Sequence, residues 1–154
     1  MQRLLATSLI LFLLLRAAAQ GEPDAAGVQP LLDSAWAAYD IQDFEKMKIW
    51  AVRALELAEQ QKQEDQKAES HRVIGSAEEE LENREDAFRN YSLALSFWEQ
   101  QGDERKIAGL AQDIAILKDA EGDYELSRNS ARRAVKIFEA MQDSLALANA
   151  LVDL

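Results

Sequence analysis

The segment EGDYELSRNSARRAVKIFEAM, residues 121–141, opens on Gly-Asp-aromatic and continues with small and aliphatic residues at helical spacing. It has two counterparts. IQDFEKMKIWAVRALELAEQQ, residues 41–61, lies 80 positions earlier, and LENREDAFRNYSLALSFWEQQ, residues 81–101, lies halfway, so the chain repeats with a period of 40. Stacking the copies puts Ala54, Ala94 and Ala134 in one column, Leu55, Leu95 and Val135 in the next, and Leu57, Phe97 and Ile137 two further on. Upstream, Ala35, Gly75 and Ala115 share a column, as do Asp43, Asn83 and Asp123. A small residue in such a column lets two helices approach closely, where a larger side chain would hold them apart.

Each period reads as two amphipathic helices. In the second copy Val73, Ile74, Ala77 and Leu81 mark one apolar face, and Ala87, Phe88, Tyr91, Leu95 and Trp98 mark another beyond the ENRED turn. Pro30 suits a first turn, where its missing N–H leaves no bond unmade. The spacing predicts helices at about 29–41, 43–61, 65–82, 84–101, 104–121, 123–141 and 144–154. Such a pair cannot bury its apolar face alone, and about three stacked repeats are the usual minimum. The expected fold is therefore an all-α helix-pair solenoid of three repeats plus a C-terminal capping helix, SLALANALVDL, with Ala148, Leu151 and Val152 covering the exposed end.

The chain starts MQRLLATSLILFLLLRAAAQGEPDAAG: Arg3, a mainly apolar run from Leu4 to Leu15, then small residues before a polar stretch. This is the order of a secretory signal peptide, and the apolar run is shorter than the ~20 residues a spanning helix needs. Residues 1–19 are expected to be cleaved after Ala19, leaving a short linker at 20–27, a repeat domain at 28–154 and an exported protein, periplasmic or secreted, with no membrane attachment. There is no cysteine, which excludes a disulfide framework, a thiolate metal site and a lipoprotein anchor. The formal charge of −11 becomes −13 once Arg3 and Arg16 are removed, so phosphates are repelled and a nucleic-acid partner is excluded. A basic or neutral protein or peptide is the easier partner.

The columns resemble the tetratricopeptide repeat family. Gly75 matches that family's small position in the first helix, Gly122-Asp123-Tyr124 and Asp43-Phe44 match its turn, Ala87 matches the second-helix Ala, and Ala54, Ala94 and Ala134 match the later one. The resemblance runs from about residue 28 to the end. The period of 40 exceeds the family's usual ~34, no proline closes a repeat, and Met47 and Ser127 replace the second-helix Ala. In this respect the chain is similar to the extended variety of the family found in regulators and adaptors, each helix gaining about one turn.

The resemblance implies a non-catalytic scaffold without a cofactor, binding a protein or peptide in a groove lined by the first helix of each pair. With Ala35, Gly75 and Ala115 setting the register, that groove presents Leu32, Trp36, Tyr39 and Asp40 from the first repeat, Glu69, Arg72, Ser76, Glu79 and Glu80 from the second, and Gln112, Ile116 and Asp119 from the third. The family's Lys/Arg/Asn clamp for a terminal carboxylate is absent, since Arg72 is the only base in the set. An aromatic shelf at Trp36 and Tyr39 beside an acidic wall at Glu79 and Glu80 points to a ligand with an apolar anchor and a Lys or Arg. The alternative is a sensor or regulatory module that binds a short signalling peptide or self-associates through residues 144–154.

Blander readings compete at several positions. His71, the only histidine, supports no His-rich metal site and fits helix packing better than catalysis. EEELENRED, residues 78–86, lacks the loop chemistry of a cation site and reads as a solvated face. Tyr91, Phe97, Trp98 and Phe138 fall in buried columns, and Trp36 and Tyr39 can themselves be helix packing. In SARRAVK, residues 130–136, the cations are expected to pair with neighbouring Glu.

Overall fold

A computed structural model of the chain describes residues 27–152, and among them it contains seven α-helices and no strand. They are α1 (Val28–Asp40), α2 (Phe44–Gln61), α3 (Glu64–Glu80), α4 (Arg84–Gln101), α5 (Glu104–Glu121), α6 (Tyr124–Ala140) and α7 (Ser144–Val152). Each helix packs on the next, and α1 also touches α3, which makes the chain a helix-pair solenoid. The expected signal peptide at 1–19, the linker up to Ala26 and residues 153–154 lie outside the described residues.

The helices end where they do because every turn is built the same way. Gln42, Lys62, Glu82, Gly102, Gly122 and Gln142 all have positive φ, between 55° and 80°, and they stand 20 residues apart. At each, two backbone bonds close the preceding helix: Gln42 N–H donates to the Tyr39 carbonyl at 2.8 Å and Asp43 N–H to that of Ala38 at 2.9 Å, and the same pair recurs down to Gln142 and Asp143. This is the Schellman closure, which satisfies carbonyls that the helix end would otherwise orphan. The following residue opens the next helix. Asp43, Asp103, Asp123 and Asp143 each accept from the backbone N–H three residues on, at 3.1–3.2 Å.

The core is assembled largely from small side chains. Ala51, Ala54 and Ala58 of α2, Ala87 and Ala94 of α4, and Ala131 and Ala134 of α6 are all within 1 % of full burial. Larger apolar residues, among them Leu31, Met47, Leu110, Leu117 and Trp98, fill the space between pairs. Adjacent repeats are also keyed polar-to-polar or cation-to-ring at one pair of columns. Glu78, 5 % exposed, takes Lys48 of the preceding repeat at 2.7 Å, and 40 residues on Lys118 lies 3.9 Å from the ring centroid of Phe88. Glu78 is thus not part of a solvated face, as the run EEELENRED suggests, but a buried anion held by Lys48 and by the Asn83 amide at 2.8 Å.

The second repeat departs from its neighbours. A Cβ at Gly75 would lie 2.5 Å from the ring carbons Cδ1 and Cε1 of Tyr91, so the absence of a side chain on α3 is what admits the Tyr91 ring. In the flanking repeats the corresponding pairs are Ala35 with Ala51 and Ala115 with Ala131, all buried. The second repeat has moved the bulk of two small side chains onto one tyrosine.

The helix α7 packs through Ala146, Leu147 and Ala150, while Leu145 is 75 % and Leu151 52 % exposed. Ala148 and Leu151 therefore do not cover the end as expected. They occupy the columns of Ala108 and Ala111, which in the third repeat are buried at 0 % and 2 %.

Two outcomes follow from this packing. Lys62→Gly and Gln142→Gly are each expected to raise stability by about 1 kcal/mol, because glycine has no Cβ to strain at positive φ, as read from urea denaturation midpoints. Gly75→Ala is expected to cost about 1–2 kcal/mol through overpacking against Tyr91, yet to become stabilising in a Tyr91→Ala background, where only its helix propensity remains. The same denaturation series reads that change of sign.

Candidate functional site

The first helices of the pairs, α1, α3 and α5, are tied along one face by contacts spaced 41 residues apart in sequence. Tyr39 donates its hydroxyl to Glu80 Oε1 at 3.2 Å, Asp65 takes Lys106 at 2.6 Å, and Arg72 reaches Asp113 at 3.6 Å. Stacking the repeats places position i of one first helix beside position i+41 of the next, so these pairs are a direct product of the period.

At one side of this face Trp36 and Tyr39 meet edge to face, with ring centroids 5.7 Å apart. The Arg72 guanidinium sits 5.2 Å from the Trp36 ring centroid and donates through Nε and Nη2 to Glu69 Oε1 at 3.1 and 2.9 Å. The lone base of the site is thus enclosed by an aromatic ring and two carboxylates. Its charge is matched internally rather than offered to a ligand.

Beyond it lies a carboxylate cluster. Tyr91, 1 % exposed, extends its hydroxyl past Gly75 and donates to Glu79 Oε2 at 2.7 Å, with Ser76 Oγ at 3.2 Å. Burial is the largest cause pushing the Glu79 carboxyl above its ordinary range; Asp113 and Glu80 add to it, and the Tyr91 hydrogen bond opposes it. Burial likewise raises Asp113, against the pull of Arg72. Asp113 Oδ2 is a buried oxygen with no hydrogen bond, since the Arg72 contact at 3.6 Å is too long to be one. Tyr39 is raised chiefly by the charge of Glu80, and Tyr91 chiefly by burial, so both remain hydroxyl donors at neutral pH.

The structure brings together Trp36, Tyr39, Glu69, Arg72, Ser76, Glu79 and Glu80 of the residues expected in the groove. Leu32 is instead 1 % exposed and packs in the core with Leu31 and Ala35, so it presents nothing to a ligand. Gln112 is half-buried, and Asp40, Ile116 and Asp119 are exposed and stand outside the network. Two members were not anticipated from the sequence. Asp113 neighbours the expected Gln112, and Tyr91 belongs to a second helix; the available signal for Tyr91 was its pairing with Gly75 in columns that otherwise hold alanine.

His71 is half-buried with Nδ1 2.9 Å from Asn90 Oδ1, which accounts for it as packing between α3 and α4. Among the described residues no group of three or more His, Asp or Glu is placed to hold a metal ion. No helix among them is long and apolar enough to cross a membrane. Compared with known families and proteins, the chain matches no family model and no curated protein.

The raised carboxyls give the fold a definite pH dependence. Glu79 holds its proton more tightly folded than unfolded, so its contribution is fully present below the unfolded glutamate value and is lost as pH rises through the folded value. Stability is therefore expected to fall between the ordinary carboxylate range and neutrality, and Glu79→Gln to remove part of that fall, Asp113 supplying the rest. Urea midpoints of both proteins across that range test the slope.

Proposed function

We propose that the face formed by α1, α3 and α5 is a binding groove for a protein or peptide segment that offers one apolar side chain and one Lys or Arg. The observation that carries this is the Tyr39–Glu80 junction, where an aromatic pair adjoins the Glu79, Glu80 and Asp113 carboxylates on a single face. The apolar side chain would lie on Trp36 and Tyr39, Tyr39 being 38 % exposed. The cation would stand at these carboxylates, where a bound ammonium or guanidinium matches negative charge that burial leaves poorly solvated at Glu79 and Asp113.

The stacked helix pairs, the small-residue columns and the repeated Asp-aromatic turns support placing the chain in the tetratricopeptide repeat family, in its longer-period form. Within that proposal the protein is a non-catalytic scaffold that works by complementarity, and rigid stacking limits the ordering cost of binding. The N-terminal sequence supports an exported location after cleavage near Ala19. A second reading, self-association through α7 with a second copy of the chain, is favoured by the 75 % exposure of Leu145 and the 52 % exposure of Leu151.

Calorimetric titration with a panel of equal-length peptides tests the groove. Peptides pairing Leu or Phe with Lys or Arg are expected to bind in preference to versions carrying Gln or Glu. Trp36→Ala and Glu80→Lys are each expected to weaken binding about tenfold, or ~1.4 kcal/mol, while circular dichroism stays helical. Affinity indifferent to ligand charge and to both substitutions would sink the proposal.

A further inference from the structure

The start of each first helix and the end of its partner leave a recess between them, and it occurs at the same columns in two repeats. Between α3 and α4 it has a volume of about 290 Å³ and is lined by Lys67, His71, Leu93, Ser96 and Gln100 among others. Forty residues on, between α5 and α6, it has grown to about 610 Å³ and is lined by Glu104, Arg133, Lys136, Ile137, Ala140 and Met141. It is an open recess at the surface, and it shares no residue with the groove.

Its chemistry has changed along with its size. Where the second repeat has Leu93, Ser96 and Gln100, the third has Arg133, Lys136 and Ala140. Without the glutamine amide the apolar lining is Ile137, Ala140 and the adaptable thioether of Met141, and Arg133 and Lys136 arrive where Lys67 of the second repeat has become Ile107. Arg133 is held by Glu99 at 2.6 Å, but Lys136 is exposed and makes no ion pair among the described residues, contrary to the expected pairing with neighbouring Glu. The setting is unusual for this chain: its formal charge is −11, yet α6 carries Arg128, Arg132, Arg133 and Lys136 against Glu125 and Glu139.

The Arg133 charge is matched by Glu99, so Lys136 is the cation of the lining that makes no ion pair among the described residues. One anionic oxygen group matches that single ammonium, and a doubly charged phosphate leaves one charge unmatched. We propose that this recess binds a medium-chain fatty acid, its alkyl chain over Ile137, Ala140 and Met141 and its carboxylate on Lys136 beside Arg133. The apolar floor supplies the affinity and the free ammonium fixes the orientation of the chain.

Titration of the full-length protein with dodecanoate, kept below its micelle-forming concentration, tests this. Saturable one-to-one binding is expected, with dodecanol and dodecyl phosphate each binding more weakly. Lys136→Glu should weaken dodecanoate by about tenfold or more, and Ala140→Gln, which restores the bulk found in the second repeat, should weaken it with no change of charge. Lys46→Glu, the same charge change on α2, should leave binding intact. The proposal fails if dodecanoate does not bind saturably, if Lys136→Glu has no effect, or if Lys46→Glu weakens binding equally. It also fails if the protein sediments with phosphatidylglycerol vesicles but takes up no monomeric dodecanoate.

Discussion

Close approach of helices at columns of small side chains is the interaction on which this structure rests. With no cysteine in the chain, no cross-link holds one helix pair to the next. Alanines buried to 1 % or less in α2, α4 and α6 let neighbouring backbones come near enough for the larger Leu, Ile and Met side chains to seal the gaps between pairs. Because these columns recur every 40 residues, each pair meets the next in a similar relation. The contacts spaced 41 residues apart, Tyr39–Glu80, Asp65–Lys106 and Arg72–Asp113, are the surface expression of that regularity.

The second repeat shows how a local departure from the rule creates chemistry. Concentrating the volume of two small residues into Tyr91, over a bare Gly75, carries a hydroxyl from the outer layer of helices through to Glu79 and Ser76 on the inner layer. Core packing and the electrostatics of the groove are thereby joined at one residue. A change at Gly75 displaces Tyr91, and a displaced Tyr91 removes the hydrogen bond that restrains the upward shift of Glu79.

Much of this fold was legible in the sequence because its determinants are local and recur. The turns fall at 42, 62, 82, 102, 122 and 142, and Asp or Asn follows five of the six, so helix limits from α1 to α6 agree within two residues. What stayed hidden depends on azimuth around a helix and on partners far away in sequence. Register alone places Leu32 on the groove, but α1 turns it into the core beside Leu31. Arg72 reads as an available base until Asp113, 41 residues on, is seen beside it. Tyr91, Trp98 and Phe138 were legible as buried, whereas the reach of the Tyr91 hydroxyl to Glu79 was marked only by the exchange of paired alanines for Gly and Tyr.

The evenly spaced turns have a consequence for how the chain acquires its shape. Each helix is joined to its neighbour by the shortest closure available, and most contacts lie between adjacent helices, so little loop entropy stands in the way of any one step. Such a chain behaves as a line of coupled units: it can begin folding at any pair and extend in both directions, with rates set by neighbours rather than by overall length. Its opening should be graded along the same line. Amide protons in α3, flanked on both sides and touching α1 as well, sit deep in that gradient.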